Sequence, residues 1–254
     1  MSDEVLVEEH DGVLVVTLNR PAARNAVNAA VSEGVAAAMI ELDSRDDLSV
    51  GVLTGAGGTF CSGMDLKAFV RGESPVIEGR GFLGLVEAPP DKPLIAAVEG
   101  YALAGGCEAV LAADLVVAAR TAKFGIPEVK RGLVAAAGGL MRLPQRIPQS
   151  VALELALTGE FLDAERAHHF GLVNRLADEG AVLEVALELA GAIAANGPLA
   201  VRASKQIIRD SADWPSDEMF DRQRSIVGPI FASADAQEGA RAFAEKRPPH
   251  WRGE

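Results

Sequence analysis

Residues 94–128, LIAAVEGYALAGGCEAVLAADLVVAARTAKFGIPE, carry the clearest signal of the fold. Leu94–Val98 and residues 114–119 are short apolar runs typical of buried strands, and Gly105–Ala112 between them predicts a helix. A strand, a loop and a helix that alternate in this way indicate an α/β core with largely parallel strand pairing.

The alternation extends to both sides of this stretch. Before it, the sequence predicts a hairpin turned at Asp11-Gly12, a loop, a helix and a buried strand, over residues 5–9 with 13–18, 21–28, 29–42 and 49–54. Residues 70–93, rich in Gly and Pro, predict a mobile loop near a pocket. After residue 138 the pattern predicts one more strand, over residues 173–176, and helices over residues 151–158, 164–170, 181–195, 199–210, 216–227 and 234–245.

The boundaries of the later helices rest on individual residues. Asp163 is a predicted N-cap and Gly171 a predicted C-cap, and Pro215 and Pro229 are predicted to separate the last three helices. No low-complexity linker divides the chain. We therefore predict an α/β core over residues 1–195 that holds the active site, and a helical region over residues 196–254 that packs on a partner subunit.

Composition and charge restrict the classes of function. Of 254 residues, 49% are apolar, which argues against disorder, and the net charge of −12 argues against nucleic-acid binding. Cys61 and Cys107 lack metal-ligand spacing, so we interpret them as packing residues in a reducing compartment. The acidic N-terminus lacks the features of a signal peptide, and no apolar run reaches the ~20 residues of a membrane span. We expect a cytoplasmic protein that does not bind membranes.

Three familiar motifs are incomplete in this chain. Residues 55–60, GAGGTF, lack the last glycine of a dinucleotide-binding loop and the lysine of a P-loop. Ser62 has no glycine two residues before it, which excludes a nucleophile elbow. His168 and His169 are adjacent and point to different faces of a helix, so a shared metal is not expected.

Two glutamates are the strongest candidates for chemistry, Glu108 in AGGCE and Glu128 in FGIPE. Two carboxylates over one pocket can act as acid and base. The Gly-Gly step before a helix start leaves backbone N–H groups free for a developing oxyanion, and residues 60–66, FCSGMDL, form a second turn of this kind. The alternatives are a solvated helix side chain for Glu108 and a carboxylate that interacts with a helix dipole for Glu128.

Five segments, taken in order, resemble the crotonase (enoyl-CoA hydratase/isomerase) superfamily: residues 24–26, 54–57, 60–66, 92–128 and 157–173. The resemblance covers nearly the whole chain. It implies an α/β fold in which repeated ββα units form a spiral, followed by a helical C-terminal region that forms homotrimers or dimers of trimers. It also implies an acyl-CoA thioester substrate and no cofactor, since coenzyme A is part of the substrate.

The resemblance further implies individual roles. The backbone N–H groups of Met64 and Gly105 would form the oxyanion hole for the thioester oxygen, at about 3–4 kcal/mol per donor. Glu108 would activate the water that adds at the β-carbon, and Glu128 would exchange the proton at the α-carbon. The implied reaction is hydration of 2-enoyl-CoA, or dehydration of 3-hydroxyacyl-CoA in reverse.

Contacts with the substrate and its coenzyme A moiety are implied for twelve residues: Arg24, Ala26, Ser62, Gly63, Asp65, Leu66, Lys67, Ala68, Gly106, Ala136, Phe243 and Lys246. Of these, Lys67, Phe243 and Lys246 would meet the adenine and phosphates. The alternative for the two lysines is an ordinary solvated side chain, and for Arg24 a structural role in its loop.

The sequence departs from the superfamily in two segments. Residues 135–139 read AAAGG where the superfamily commonly has PGAGG. If the replaced glycine needs a positive φ, Ala136 strains the turn. Met64 fills a position often taken by a smaller residue, so we expect a narrower acyl pocket.

Residues 81–85, 142–144 and 242–247, with Trp251 and Gly253, resemble the carnitinyl-CoA dehydratases within the superfamily. Their trimethylammonium substrates favour aromatic or acidic neighbours, and no such cluster is evident in the sequence. Carnitinyl-type dehydration, isomerisation of 3-enoyl to 2-enoyl thioesters and non-catalytic acyl-CoA binding are the alternatives to a hydratase. Retention of both glutamates favours the lyase, because the isomerase needs one carboxylate.

Overall fold

The structure, a computed structural model, describes residues 3–254; Met1 and Ser2, from the acidic N-terminus, lie outside the described residues. The strands are β1 (Val5–His10), β2 (Val13–Leu18), β3 (Val50–Gly55), β4 (Val76–Ile77), β5 (Gly81–Phe82), β6 (Leu94–Val98), β7 (Tyr101–Leu103), β8 (Leu115–Ala119), β9 (Lys123–Gly125), β10 (Leu162–Asp163) and β11 (Arg175–Ala177). The helices are α1 (Ala29–Ser44), α2 (Leu66–Val70), α3 (Gly105–Ala112), α4 (Gly139–Arg146), α5 (Gln149–Thr158), α6 (Ala164–His169), α7 (Val182–Ala194), α8 (Pro198–Asp210), α9 (Met219–Phe231) and α10 (Ala234–Glu245).

The main sheet has the strand order β1-β2-β3-β6-β8-β11. Strands β1 and β2 form the predicted antiparallel hairpin, whose turn residues Asp11 and Gly12 have positive φ (47° and 81°). The other neighbouring strands of this sheet pair in parallel. The side chains of β2, β6 and β8 are almost entirely apolar and buried, as expected for a parallel sheet covered on both faces. The predicted α/β core is confirmed.

A second sheet of three short strands, in the order β10-β9-β7, runs beside the main sheet. Strand β6 of the main sheet is followed by β7 of the small sheet and then by α3, and β8 is followed by β9 in the same way. An isolated bridge between Cys61 and Ala102 extends the small sheet by one position. These are the predicted ββα units, and the small sheet is the part that the sequence analysis did not detect.

Two sequence predictions are wrong in detail. Residues 70–93 are not simply a loop, because β4 and β5 form a short hairpin there and Leu83, Leu85 and Val86 are buried in the core. The segment does border the main cavity, and its mobility stays a prediction. Pro229 does not end a helix but lies in the last turn of α9, after which the N–H of Ala232 donates to the carbonyl of Gly228 (3.3 Å).

The last strand and the penultimate helix also start later than predicted. Strand β11 begins at Arg175, and the N–H of the preceding Asn174 donates to the carbonyl of Val116 in β8 (2.8 Å). Helix α9 begins at Met219 rather than at residue 216. The predicted caps of α6 are confirmed, since Asp163 accepts from the N–H of Arg166 (2.8 Å) and Gly171 has a φ of 90°.

The helical C-terminal region is joined to the α/β core by polar contacts. Lys205 of α8 donates to the Asp114 carboxylate (2.7 Å) and to the carbonyl oxygens of Pro90 and Lys92. The indole N–H of Trp251 donates to the carbonyl of Ala195 (2.9 Å). Within residues 3–254 no single helix is long and apolar enough to cross a membrane, and only α7 together with residues 198–213, bent by 106°, passes that test as a pair.

Replacing Gly106 with alanine is expected to lower the free energy of unfolding by about 1–3 kcal/mol. Its Cβ would lie 2.4 Å from the carbonyl oxygen of Cys61, so the two segments would have to separate. Gly191 in α7 is the matched control, because no described atom lies within 4 Å of its Cβ position. Alanine there is expected to stabilise by about 0.5–1 kcal/mol. Urea denaturation measures the free energy of unfolding of both variants. Equal values for the two would contradict the close packing at Gly106.

Candidate active site

The parallel pairing of β7 with β9 brings the two predicted glutamates together. Leu103 lies opposite Gly125, so both strands end at the same edge of the small sheet. After β7 the chain turns into α3, which carries Glu108, and after β9 it turns into the 3-10 helix Pro127–Arg131, which carries Glu128. Both side chains line one cavity of about 940 Å³.

The turn into α3 has a strained backbone. Ala104 has a φ of 50° and a ψ of −127°, a conformation that a residue with a side chain rarely adopts. Strain of this kind costs about 1–3 kcal/mol and persists only where neighbours hold it. The N–H of Ala104 donates to the carbonyl of Gly125 (2.8 Å), which fixes the turn to the end of β9. The strain therefore orients the first turn of α3.

The predicted oxyanion donors are the N–H groups of Met64 and Gly105. Neither has a hydrogen-bond acceptor within residues 3–254, and both residues line the cavity. Gly63, with a φ of 95°, allows the two segments to approach, since a Cβ there would lie 2.9 Å from the Cβ of Ala104 and 3.3 Å from the nitrogen of Gly105. Two free donors beside a carboxylate can stabilise a negatively charged oxygen.

Glu108 is held by the start of α4. Its Oε1 accepts from the N–H groups of Ala137 (2.7 Å) and Gly139 (2.9 Å), and only 3% of the residue is exposed. Burial raises the pKa of Glu108, while these two donors and the charge of Arg142 oppose the increase. The alternative of a solvated helix glutamate is therefore wrong.

Glu128 faces Glu108 with an unpaired oxygen. Its Oε2 is buried and has no hydrogen-bond partner in the described part of the chain. Burial raises the pKa of Glu128, its own backbone N–H lowers it, and the nearby Glu108 raises it further. Burial therefore favours the neutral form of each carboxyl more than it would be favoured in an exposed glutamate.

The turn at residues 135–139 differs from the expectation for Ala136. Ala136 is not among the residues with a positive φ, so the predicted strain is wrong; the left-handed position is Gly138, with a φ of 93°. The available N–H groups that contact Glu108 belong to Ala137 and Gly139 rather than to Ala136. Ala136 itself is exposed and lines the cavity.

The other implied binding residues divide into three groups. Those that line the cavity are Arg24, Ser62 and Leu66. Those that are near lining residues in the chain but do not line the cavity themselves are Ala26, Gly63, Asp65, Ala68 and Gly106. Those that lie outside the lining of this chain are Lys67, Phe243 and Lys246; Phe243 is 87% exposed. Their contacts with a ligand stay predictions.

Asp65 illustrates the second group. Its carboxylate caps α2 by accepting from the N–H groups of Lys67 (3.0 Å) and Ala68 (3.1 Å), and it also binds Arg20 (3.0 Å). These donors, led by the N–H of Ala68, hold the pKa of Asp65 below its ordinary value. The residue therefore fixes the turn that presents the N–H of Met64.

Several cavity residues were missed by the sequence analysis. The ring of Phe82 packs directly on Gly105, where a Cβ would lie 2.5 Å from it. The remaining lining includes apolar, acidic and basic side chains: Phe69, Leu133, Val134, Phe161, Glu73, Glu87, Lys130 and Arg131. Most of them lie on irregular segments or very short elements, for which periodicity gives no signal.

Both cysteines lie inside the core. Cys61 and Cys107 are buried, and burial raises the pKa of each thiol to about 12, so both pack as predicted. Within residues 3–254, no group of three or more His, Cys, Asp or Glu side chains is arranged to hold a metal ion.

Comparisons with known proteins agree with the geometry. The profile of the enoyl-CoA hydratase/isomerase family matches residues 8–254. An enoyl-CoA hydratase of Mycobacterium tuberculosis is 42% identical, over 98% of this chain and 96% of its own, and a carnitinyl-CoA dehydratase of Salmonella typhi is 41% identical over the whole of both. A crystal structure of an enoyl-CoA hydratase from Mycobacterium tuberculosis is 64% identical, with a TM-score of 0.98 and full coverage of both chains.

The paired glutamates, the two free N–H donors and the ββα units therefore occur in a chain that matches one family along almost all its length. The predicted resemblance is confirmed, and the chain belongs to the enoyl-CoA hydratase/isomerase family of the crotonase superfamily.

Proposed function

We propose that this protein is a hydro-lyase that adds water to 2-enoyl-CoA thioesters, or removes it from 3-hydroxyacyl-CoA. The observation that supports this most strongly is the pair of carboxyls in one cavity: Glu108 held by two N–H groups, and Glu128 with a buried unpaired oxygen. Both relatives named above are lyases by name, a hydratase and a dehydratase. Hydration of this type is a step of fatty-acid β-oxidation.

The two carboxyls divide the proton transfers between them. Glu108, ionised, accepts a proton from water while the oxygen forms its bond to the β-carbon. The electrons of the double bond move toward the thioester oxygen, where the N–H groups of Met64 and Gly105 stabilise the enolate. Glu128, protonated, then gives its proton to the α-carbon, and one proton passes from Glu108 to Glu128 to restore the starting state.

An isomerase and a non-catalytic binder have less support. Moving a double bond between the 3- and 2-positions needs one carboxyl to remove and return a proton. The second carboxyl would then have no proton transfer to perform. A protein that only binds acyl-CoA has no use for a buried and a half-buried carboxyl in one cavity, because burial makes each of them costly to keep ionised. Both features favour the lyase.

Carnitinyl-type dehydration is the second candidate, on a specific observation. Glu73 and Glu87 line the same cavity as Glu108, together with the aromatic rings of Phe69 and Phe82. Carboxylates and aromatic faces are the groups that attract a quaternary ammonium. The sequence alone did not reveal this combination, because the four residues lie in α2 and in the irregular segment that follows it.

We further propose that partner subunits cover α9. No residue of this helix is buried in the single chain, and Phe220 and Phe231 are 72% and 80% exposed. Large apolar side chains exposed together mark an interface. Trimers or dimers of trimers, formed through residues 196–254, fit this proposal.

We also propose that the protein acts in the cytoplasm. We propose that it needs no cofactor, because coenzyme A is part of the substrate.

Purified protein is expected to turn over crotonyl-CoA or crotonobetainyl-CoA, followed by loss of the conjugated thioester absorbance. Glu108→Gln and Glu128→Gln are each expected to lower kcat by about 100-fold or more, since each removes one of the two proton transfers. Binding of the thioester, measured by calorimetry, is expected to persist in both variants. Activity retained in both would contradict the assigned roles, and a wild type that only shifts double bonds would favour the isomerase.

Glu108→Gln is also expected to raise the free energy of unfolding, and more so as pH increases. Burial raises the pKa of Glu108, so the folded chain binds more protons here than the unfolded one, and stability is lost as pH rises through the raised pKa. Each unit of raised pKa corresponds to about 1.4 kcal/mol. Glutamine keeps an acceptor for Ala137 and Gly139. Urea denaturation from about pH 5 to about pH 8 tests this, and a pH-independent difference would contradict it.

Phe231→Glu is expected to shift the assembly toward the 26.5 kDa single chain, because a charge at a covered apolar position is costly to bury. Ile40→Glu, which changes an equally apolar and 55% exposed residue of α1, is the matched control. Sedimentation velocity of both variants and the wild type measures the mass. A wild type that sediments as a monomer would overturn the proposal.

A further inference from the structure

We propose that Arg142 is a positioning residue that fixes the carboxylate of Glu108 and couples it to the oxyanion donor of Gly105. Arg142 lies in the first turn of α4 and is half-buried. Its Nη2 donates to the carbonyl of Val86 (2.7 Å), and no carboxylate in residues 3–254 is within 4 Å of its guanidinium. A half-buried cation without a direct ion pair needs an explanation.

The guanidinium lies against the turn that holds Glu108. A Cβ on Gly138 would lie 2.3 Å from Nη1 of Arg142, so the side chain fills the space beside this glycine. The residues on either side of Gly138, Ala137 and Gly139, donate their N–H groups to Glu108 Oε1. Arg142 therefore supports the three-residue turn that binds the carboxylate.

The carbonyl that accepts from Arg142 belongs to the segment that packs on Gly105. Val86 is buried and lies four residues after Phe82, whose ring packs on Gly105. The hydrogen bond from Arg142 thus joins α4 to the segment that covers the oxyanion donor. The Arg142 side chain therefore connects the turn at residues 137–139, which binds Glu108, with the segment from Phe82 to Val86, which packs on Gly105.

Charge adds a second effect to this contact. The charged groups around Glu108 are Glu128 from the 3-10 helix and Arg142 from α4, with Arg131 beside Glu128. Arg142 opposes the increase that burial causes in the pKa of Glu108, and burial in turn lowers the pKa of Arg142. Without this charge, less of Glu108 is ionised at neutral pH.

Arg146 provides a matched control on the same helix. It is also half-buried and donates to backbone carbonyls, those of Ala113 and Asp114 (3.3 Å each), but it faces Asp114 rather than Glu108. Arg146→Gln removes a cation and hydrogen bonds of the same kind, away from the turn at Gly138. A general loss of stability in α4 would affect both variants alike.

The test is a carboxyl titration by NMR of the full chain labelled with ¹³Cδ-glutamate, in which Glu108→Gln identifies the Glu108 signal. Arg142→Gln is expected to raise the pKa of Glu108 by about half a unit or more, and Arg146→Gln to leave it unchanged. Arg142→Lys keeps the charge but cannot reproduce the planar contact, so it is expected to leave the pKa near that of wild type.

The kinetic consequence rests on the proposed function. With crotonyl-CoA or crotonobetainyl-CoA, whichever the wild type turns over, Arg142→Gln is expected to lower kcat by at least about tenfold and to move the acidic limb of the pH profile upward. Arg142→Lys is expected to lower kcat without moving that limb. Circular dichroism verifies folding of each variant, and the lysine variant decides the positioning role if the glutamine variant does not fold.

Two outcomes would overturn the inference: an unchanged pKa of Glu108 in Arg142→Gln, or a kcat of Arg142→Lys equal to that of wild type. Equal pKa changes in Arg142→Gln and Arg146→Gln would also overturn it, since the effect would not be specific to the turn. A wild type inactive on every thioester would refute the proposed function instead, and the titration would still decide the role of Arg142.

Discussion

The hydrogen bond from the Ala104 N–H to the Gly125 carbonyl is the constraint on which the site depends. It continues the parallel pairing of β7 and β9 by one residue, at the point where both chains leave the small sheet. Because Ala104 is held there with a φ of 50°, α3 starts abruptly, and its first N–H groups face the cavity. The same edge presents Glu108 and Glu128 together. If β7 ended without this turn, the N–H of Gly105 would lie farther from the carboxyls of Glu108 and Glu128.

The site is maintained at a cost to stability. Glu108 is a buried carboxyl and Glu128 a half-buried one, both with raised pKa values; Ala104 is strained, and Arg142 is a cation without a direct ion pair. Each of these features is unfavourable alone. The main sheet supplies the compensating burial, since strands β2, β6 and β8 are almost wholly buried. The small sheet can therefore be short and irregular and still hold its geometry.

Sequence patterns predicted the main sheet well for a physical reason. Its strands are apolar on both faces, as in Leu94–Val98, and its hairpin turn is marked by Asp11-Gly12. The small sheet escaped detection because two or three residues, such as Tyr101–Leu103, cannot show a period. Glu108 and Glu128 could be selected from their Gly- and Pro-marked turns. The partners of Glu108 could not, because Ala137 and Gly139 act through backbone N–H groups that no side-chain identity reveals.

The overall charge of the chain and the cations of the cavity have opposite effects on an anionic ligand. With a net charge of −12, the protein repels an anionic ligand at long range, so the proposed thioester needs cations at short range. Arg24, Lys130 and Arg131 line the cavity, whereas the predicted Lys67 does not. Glu73 and Glu87 line it as well. The cavity thus offers cationic groups for the coenzyme A portion of the proposed thioester, with acidic groups in the same lining.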